Sequence, residues 1–252
     1  MLDNNNIALC GWDNSSPDLV IPDELDGSVF TEISNFALRD NTEITSLNMS
    51  EAVRIKRIGV MAFSGCTQIS NEITIPSGVT IVAANAFEGC SSIPSVVYEA
   101  DVTSVYAQTF NKCSSLTNVR LPNGLQTIEK FAFAGCTSLE YLEIPATVTS
   151  IAETAFKNDV NLTLGVYFDS YAHQYAKEKG IKYAFLDDYV LGDVNLDGSL
   201  TITDVTAIQR YLSEYQQLND FQLVVADVNS DSTVSVFDAT LIQRKLAEFD
   251  NP

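Results

Sequence analysis

Two stretches near the C-terminus set oxygen donors at a spacing that suits metal chemistry. Counting Asp193 as position 1, side-chain oxygens recur at Asn195, Asp197 and Asp204, the backbone carbonyl of Ser199 falls at position 7, and Thr201 at position 9 can act through water. The same pattern returns 34 residues later as Asp227, Asn229, Asp231 and Asp238, with the carbonyl of Thr233 and with Ser235 through water. An oxygen-only set at positions 1, 3, 5, 7, 9 and 12 encloses a hard divalent cation, and calcium is the fitting ion. Three carboxylates within a dozen residues repel one another, so each loop is expected to need its ion to close, two ions in all.

The spacing is that of an EF-hand-type loop, with two departures. Position 12 is Asp where a sensor EF-hand has Glu, and neither loop follows a strong amphipathic entering helix. The eight residues after each loop keep Thr206/Thr240, Ile208/Ile242, Gln209/Gln243, Arg210/Arg244 and Leu212/Leu246. With these features residues 187–252 resemble a type I dockerin, a small helical module with two calcium loops. The resemblance implies that a cohesin module of a scaffoldin is the partner and that the protein is secreted, extracellular and cellulosome-associated. It also implies a docking face at loop positions 10 and 11 and on the following helix: Ile202, Thr203, Gln209 and Arg210 in one half, Val236, Phe237, Gln243 and Arg244 in the other. The halves differ at Thr203/Phe237 and Tyr211/Lys245, so one of two rotated docking orientations should be preferred.

Other chemistries lack their local signatures. There is no nucleophile elbow, no His-Glu-x-x-His and no phosphate loop. The single histidine, His173, falls in a predicted helix without a Ser or Cys nucleophile pattern nearby and is expected at the surface. Paired carboxylates for glycoside hydrolysis stay open, because 33 acidic residues offer many pairs.

The elements that would carry such a module begin with a repeat. Ala62-Phe63-Ser64-Gly65-Cys66 returns as Ala86 to Cys90, Thr109 to Cys113 and Ala132 to Cys136, with degenerate copies at Ala37-Leu38 and Ala155-Phe156. The ring position therefore reads Leu38, Phe63, Phe87, Phe110, Phe133, Phe156, or six turns. Each turn continues into a short alternating run ending at proline, as in Ile73-Thr74-Ile75-Pro76 and Leu142-Glu143-Ile144-Pro145, which reads as one half-buried strand and a return. A unit of about 23 residues cannot bury its own apolar face, so the turns must stack, six of them making a core roughly 30 Å long. The cysteines at this period read as reduced, buried thiols acting as small apolar residues, while Cys10 has no evident role.

An Ala-Phe-x-Gly-Cys block followed by a Leu-x-x-Leu-x-Ile-Pro strand resembles the BspA-like bacterial leucine-rich repeats over residues 19–168. The end fits that resemblance: Ser170 reads as the N-cap and Gly180 as the C-cap of a helix, followed by a strand over 181–185, a cap for the last turn. The expected fold is thus α+β, a leucine-rich-repeat solenoid with caps over 1–186 and an α-helical dockerin over 187–252. Outward strand positions form a mixed set, among them Glu72, Asn118, Arg120, Tyr141 and Glu143, which suits recognition better than catalysis and equally suits a solvated sheet surface with no function.

A formal charge of −19, of which −9 falls in residues 187–252, argues against nucleic acid and anionic membrane surfaces as partners. No apolar run is long enough to insert in a membrane, and Met1 to Asn6 has neither the basic nor the apolar part of a leader, so a secreted form would have lost its leader. The expectation is a soluble, non-catalytic protein whose dockerin docks to a cohesin and whose solenoid binds a plant cell-wall or protein ligand. The alternative is a dockerin-borne enzyme acting on plant cell-wall polysaccharide.

Overall fold

The computed structural model describes residues 6–11 and 16–249. Residues 1–5, part of the start read above as leaderless, lie outside them. The chain divides into two compact units, Met1–Ala184 and Phe185–Pro252.

In the first unit each coil contributes two strands where the sequence suggested one. The strands of the first column are Asp18–Val20, Ser46–Asn48, Ile73–Ile75, Ser95–Tyr98, Asn118–Arg120, Tyr141–Glu143 and Thr163–Val166, four of them running into a proline. A second column, parallel and in register, holds Arg57–Ile58, Ile81–Val82, Ser104–Val105, Thr127–Ile128 and Ser150–Ile151. Two residues cannot display alternation, which is why hydrophobic periodicity misses this column. Lys182–Phe185 pairs onto Thr163–Val166 as an eighth rung of the first column, so the solenoid exceeds the six turns read from the Phe block and runs to roughly 34 Å at the inter-strand spacing.

Proline ends the first strand because it has no N–H to donate, and its carbonyl then starts the turn. Val79, Leu125 and Val148 donate their N–H to Pro76, Pro122 and Pro145 at 3.0–3.1 Å, which sends the chain into the short second strand. Where backbone pairing lapses between Ser46–Asn48 and Ile73–Ile75, Asn71 substitutes for a peptide group. Leu47 N–H donates to its Oδ1 and its Nδ2 donates to Leu47 O, both at 2.9 Å.

The Phe block forms the spine. Phe63, Phe87, Phe110, Phe133 and Phe156 stack with ring centroids 5.1–5.8 Å apart and planes within 16°. The separations exceed the rung spacing because the rings are offset, the arrangement an aromatic quadrupole favours. Along the same edge, Phe63 N–H donates to Ala86 O, Phe87 to Thr109 and Phe110 to Ala132, at 2.8–3.0 Å.

The cysteines are buried and free, but they are more than small apolar residues. Each thiol donates to the carbonyl of the preceding turn's ring position: Cys66 to Leu38, Cys90 to Phe63, Cys113 to Phe87 and Cys136 to Phe110, at 3.0–3.2 Å. Burial pushes the Cys66 thiol up to about 12 and the other three well above the ordinary thiol value. Cys10 is exposed, its sulfur 3.5 Å from Ser34 Oγ.

In the last turn the cysteine position is taken by Asp159. The residue is 8% exposed, and neither carboxyl oxygen reaches a hydrogen-bond partner among the described residues. Burial raises its pKa to about 7, and the nearby N–H groups of Cys136 and Gly135, which donate to the Phe133 and Lys157 carbonyls, offset this only partly.

The cap is helix α1, Tyr171–Lys179, started by Ser170, whose hydroxyl accepts from His173 N–H, and ended by Gly180 at φ 66°. Tyr175 sets its ring edge-on against Phe156 at 6.2 Å and donates its hydroxyl to Ala152 O at 3.2 Å, closing the aromatic stack. His173 corrects the surface expectation: it is 4% exposed, its ring lies 5.0 Å from that of Tyr183, and its Nδ1 accepts Asp169 N–H at 3.2 Å. A helix that shields an apolar edge must bury one face, and His173 lies on it.

The second unit packs α2, Ile202–Leu212, against the C-terminal helix, over a core of Val194, Val205, Ala207, Ile208, Leu218, Ala226, Ala239 and Ile242. Between them lies α3, Asp220–Ala226, which the sequence reading did not anticipate although Asn219 and Gln222 form its capping box. Gln222 Nε2 donates to Val194 O at 2.9 Å and so ties α3 to the first loop. The C-terminal helix, α4, spans Val236–Phe249.

Candidate functional site

The two acidic loops fold alike because each first Asp gathers the N–H groups of its own loop. Asp193 accepts from Asp197 and Gly198 at 3.1 and 2.7 Å, and Asp227 accepts from Asp231 and Ser232 at 3.1 and 2.8 Å. Position 3 turns the chain again, with Asn195 and Asn229 accepting from Asp197 and Asp231 N–H at 2.9 and 3.0 Å. Position 5 accepts from position 7: Asp197 from Ser199 N–H and Asp231 from Thr233 N–H, both at 2.9 Å. In the second loop the Thr233 hydroxyl also reaches Asp231 Oδ1 at 2.6 Å, and this, with Asn229 and the Thr233 N–H, lowers the Asp231 pKa.

Position 12 closes the loop and starts a helix with one carboxylate. Asp204 accepts Asn195 N–H at 3.0 Å on one oxygen and Thr201 N–H at 2.8 Å on the other. Asp238 does the same with Val228 N–H at 3.0 Å and Ser235 N–H at 2.9 Å. A Thr/Ser-x-x-Asp capping box is therefore overlaid on the last third of each loop, which explains why the shorter Asp serves there. Thr201 and Ser235 are N-terminal caps, accepting N–H from Thr203 and Phe237 at 3.3 and 3.1 Å. The sequence reading gave position 9 to water alone, although the capping pattern was visible in it.

Asp193 is 4% exposed, Asp204 and Asp238 are 0%, and no described Lys or Arg forms an ion pair with any of them. Among the described residues no three carboxylate, imidazole or thiol groups stand close enough to hold a metal as they are. The donor set is nevertheless all oxygen and suits a hard cation, and the exposed Asp197 and Asp231 can swing inward. Position 6 is left-handed in both loops, with Gly198 at φ 86° and Ser232 at φ 69°, so the second loop carries a side chain where glycine is at ease.

All eight residues read as a docking face are solvent-exposed: Ile202, Thr203, Gln209, Arg210, Val236, Phe237, Gln243 and Arg244. Phe237 is 57% exposed and Val236 70%, so neither is spent in the core. Thr203 also meets the first loop, where its hydroxyl accepts from Asn195 Nδ2 at 2.9 Å.

On the solenoid, the registers Ser95↔Asn118, Val97↔Arg120 and Thr74↔Val97 line the outward residues into two rows on one sheet face. Glu72 accepts from Ser95 Oγ at 2.8 Å within the first row.

Comparison with known proteins agrees with both halves. Residues 31–163 match the BspA type leucine rich repeat region in six copies, and residues 191–247 match the dockerin type I domain. No curated protein matches. Similar solved structures include a leucine rich cell surface protein from Faecalibacterium prausnitzii A2-165, at 25% identity over 64% of this chain and 50% of that one, with a TM-score of 0.48. Others are the leucine rich repeat protein of T. pallidum, at 23% identity over 66% of each chain and a TM-score of 0.43, and one from Eubacterium ventriosum, at 20% identity over 60% and 48% and a TM-score of 0.45. The chain thus spans about half the length of the first of these.

Proposed function

Because this chain belongs to the BspA-type leucine-rich-repeat family and carries a type I dockerin domain, we propose that it is a non-catalytic, secreted adaptor. Its dockerin docks to the cohesin of a cellulosomal scaffoldin, and its solenoid holds a plant cell-wall or protein ligand. Type I dockerin domains bind calcium through EF-hand-like loops and pair with cohesins.

The observation that carries the reading is the pair of matching loops whose buried carboxylates have no cationic side chain to neutralise them. Asp193, Asn195, Asp197, Asp204 and the Ser199 carbonyl would hold one calcium. Asp227, Asn229, Asp231, Asp238 and the Thr233 carbonyl would hold the other. The ion would cancel the repulsion inside each loop and fix the starts of α2 and α4, from which Ile202, Thr203, Val236 and Phe237 project. Among the described residues no helix is long and apolar enough to cross a membrane.

Binding of a type I cohesin to the full chain, measured with calcium and with excess chelator, tests the proposal. Tight binding that chelation abolishes is expected, and binding indifferent to chelation would refute it. Hydrolysis of plant cell-wall polysaccharides by the full chain would instead support an enzyme.

A further inference from the structure

The side chains along the Phe-block edge are uneven from turn to turn, and one step leaves a notch of about 280 Å³. The backbone ladder fixes its layout: Lys112 N–H donates to Ala134 O at 2.8 Å and Gly135 N–H to Lys157 O at 2.9 Å. The small pair Ala134-Gly135 therefore lies between Asn111-Lys112 of the turn before and Lys157-Asn158 of the turn after. Lys112 and Lys157 flank that pair on opposite sides, their backbones two rungs or about 10 Å apart.

The half-buried ring of Phe131 lies in this notch, with Lys157 Nζ 5.9 Å from its centroid. Gln108 and Asn158 add side-chain amides. Neither Lys112 nor Lys157 forms an ion pair with a described residue. The first turn offers a contrast, because Arg39 lies 6.0 Å from the Phe36 ring but is neutralised by Asp40 at 3.3 Å. Two lysines without an ion partner among the described residues thus line one notch that also holds an aromatic ring, on a chain of net charge −19.

We propose that this notch binds an acidic carbohydrate, an oligosaccharide bearing uronic-acid carboxylates. The ammonium groups pair with carboxylates, the amides with hydroxyls, and the Phe131 face with the apolar face of a sugar ring. A peptide that adds itself as a strand is disfavoured, because the N–H groups of Lys112 and Gly135 already donate to the next turn. This site deepens the reading of the solenoid as a ligand-holding module and rests on it.

Calorimetry of the full chain with tri-galacturonate is the test, with the neutral trisaccharide of galactose and with poly-L-glutamate as comparators. Tri-galacturonate should bind and the neutral sugar should not. Lys112→Ala, Lys157→Ala and Phe131→Ala should each weaken binding about tenfold, while Lys56→Ala, an exposed cation outside the notch, should leave it unchanged. Absence of binding, equal binding of the neutral sugar, or tighter binding of poly-L-glutamate would each overturn the proposal. Cohesin binding in the same samples reports on the dockerin separately, so loss of the notch reading is distinguishable from loss of the docking reading.

Discussion

Residues 63–156 bury a column of five stacked Phe rings and four thiols, whereas residues 193–238 bury three carboxylates beside a core of mostly small aliphatic side chains. The first column is complete as it stands: each ring meets the next, and each thiol finds a carbonyl. The second arrangement gathers like charges that the proposed calcium would neutralise. Apolar stacking over six repeats yields a body whose stability is spread along its length, while a calcium loop concentrates stability in one bound ion. The difference teaches where each unit should fail, and experiments on each unit can break it.

Chelation has the largest expected effect. An ion held at about a thousand times its Kd contributes roughly 4 kcal/mol to the unit that binds it, so removing the calcium proposed here should unfold the dockerin, residues 187–252. Phe110→Ala provides the mirror image. Truncating a fully buried ring should cost the solenoid about 3–5 kcal/mol and leave calcium affinity alone. Thermal unfolding of both samples, followed by calorimetry, checks the pair of outcomes. A single shared transition that moves equally under both changes would erase the distinction.

The next effect is within the solenoid, at the last rung, where Asp159 follows the four thiols. Asp159 has a folded pKa of about 7 against an ordinary value of 3.8, so the folded form holds its proton more tightly than the unfolded form. The cost of ionising it is absent below about pH 4, grows between the two values and is complete above about pH 7, where it amounts to a few kcal/mol. Solenoid stability should therefore fall as pH rises from 4 to 7, apart from other groups. Asp159→Cys, which continues the thiol series, should flatten that slope and raise the melting temperature at pH 8. An unchanged pH slope in the variant would show that the carboxyl finds solvent.

These contrasts also mark what could be read from sequence. The Phe and Cys columns were legible because one residue type recurs at a fixed period, and the duplication of the two acidic loops because their Asp and Asn positions repeat within a dozen consecutive residues. The second strand column was not, since Arg57-Ile58 or Thr127-Ile128 is too short to alternate. Burial of His173 was hidden because it depends on which face of α1 covers the last turn. The Asp159 position, aligned with Cys136, was present in the sequence, but its burial follows only from stacking. The notch at Phe131 arises across three turns, so no local pattern announces it.

Smaller effects separate the two calcium loops and the two docking halves. Ser232 at φ 69° should cost its loop about 1 kcal/mol relative to Gly198, so Ser232→Gly should raise second-site affinity by up to tenfold in calorimetry. No change would mean that calcium binding relieves that conformation. If the second half leads docking, Phe237→Ala and Arg244→Ala should each weaken cohesin binding by about 1–3 kcal/mol, more than Thr203→Ala and Arg210→Ala. Equal small losses in all four would indicate that both rotated orientations are used.

The most direct test of the central claim is a calcium titration of the chelated full chain, followed by amide NMR. Dispersed signals should appear for residues 187–249 as calcium is added, in step with recovery of cohesin affinity, while signals from residues 31–163 stay in place. C-terminal amides that are already dispersed, with unaltered cohesin affinity, before any calcium is present would contradict it.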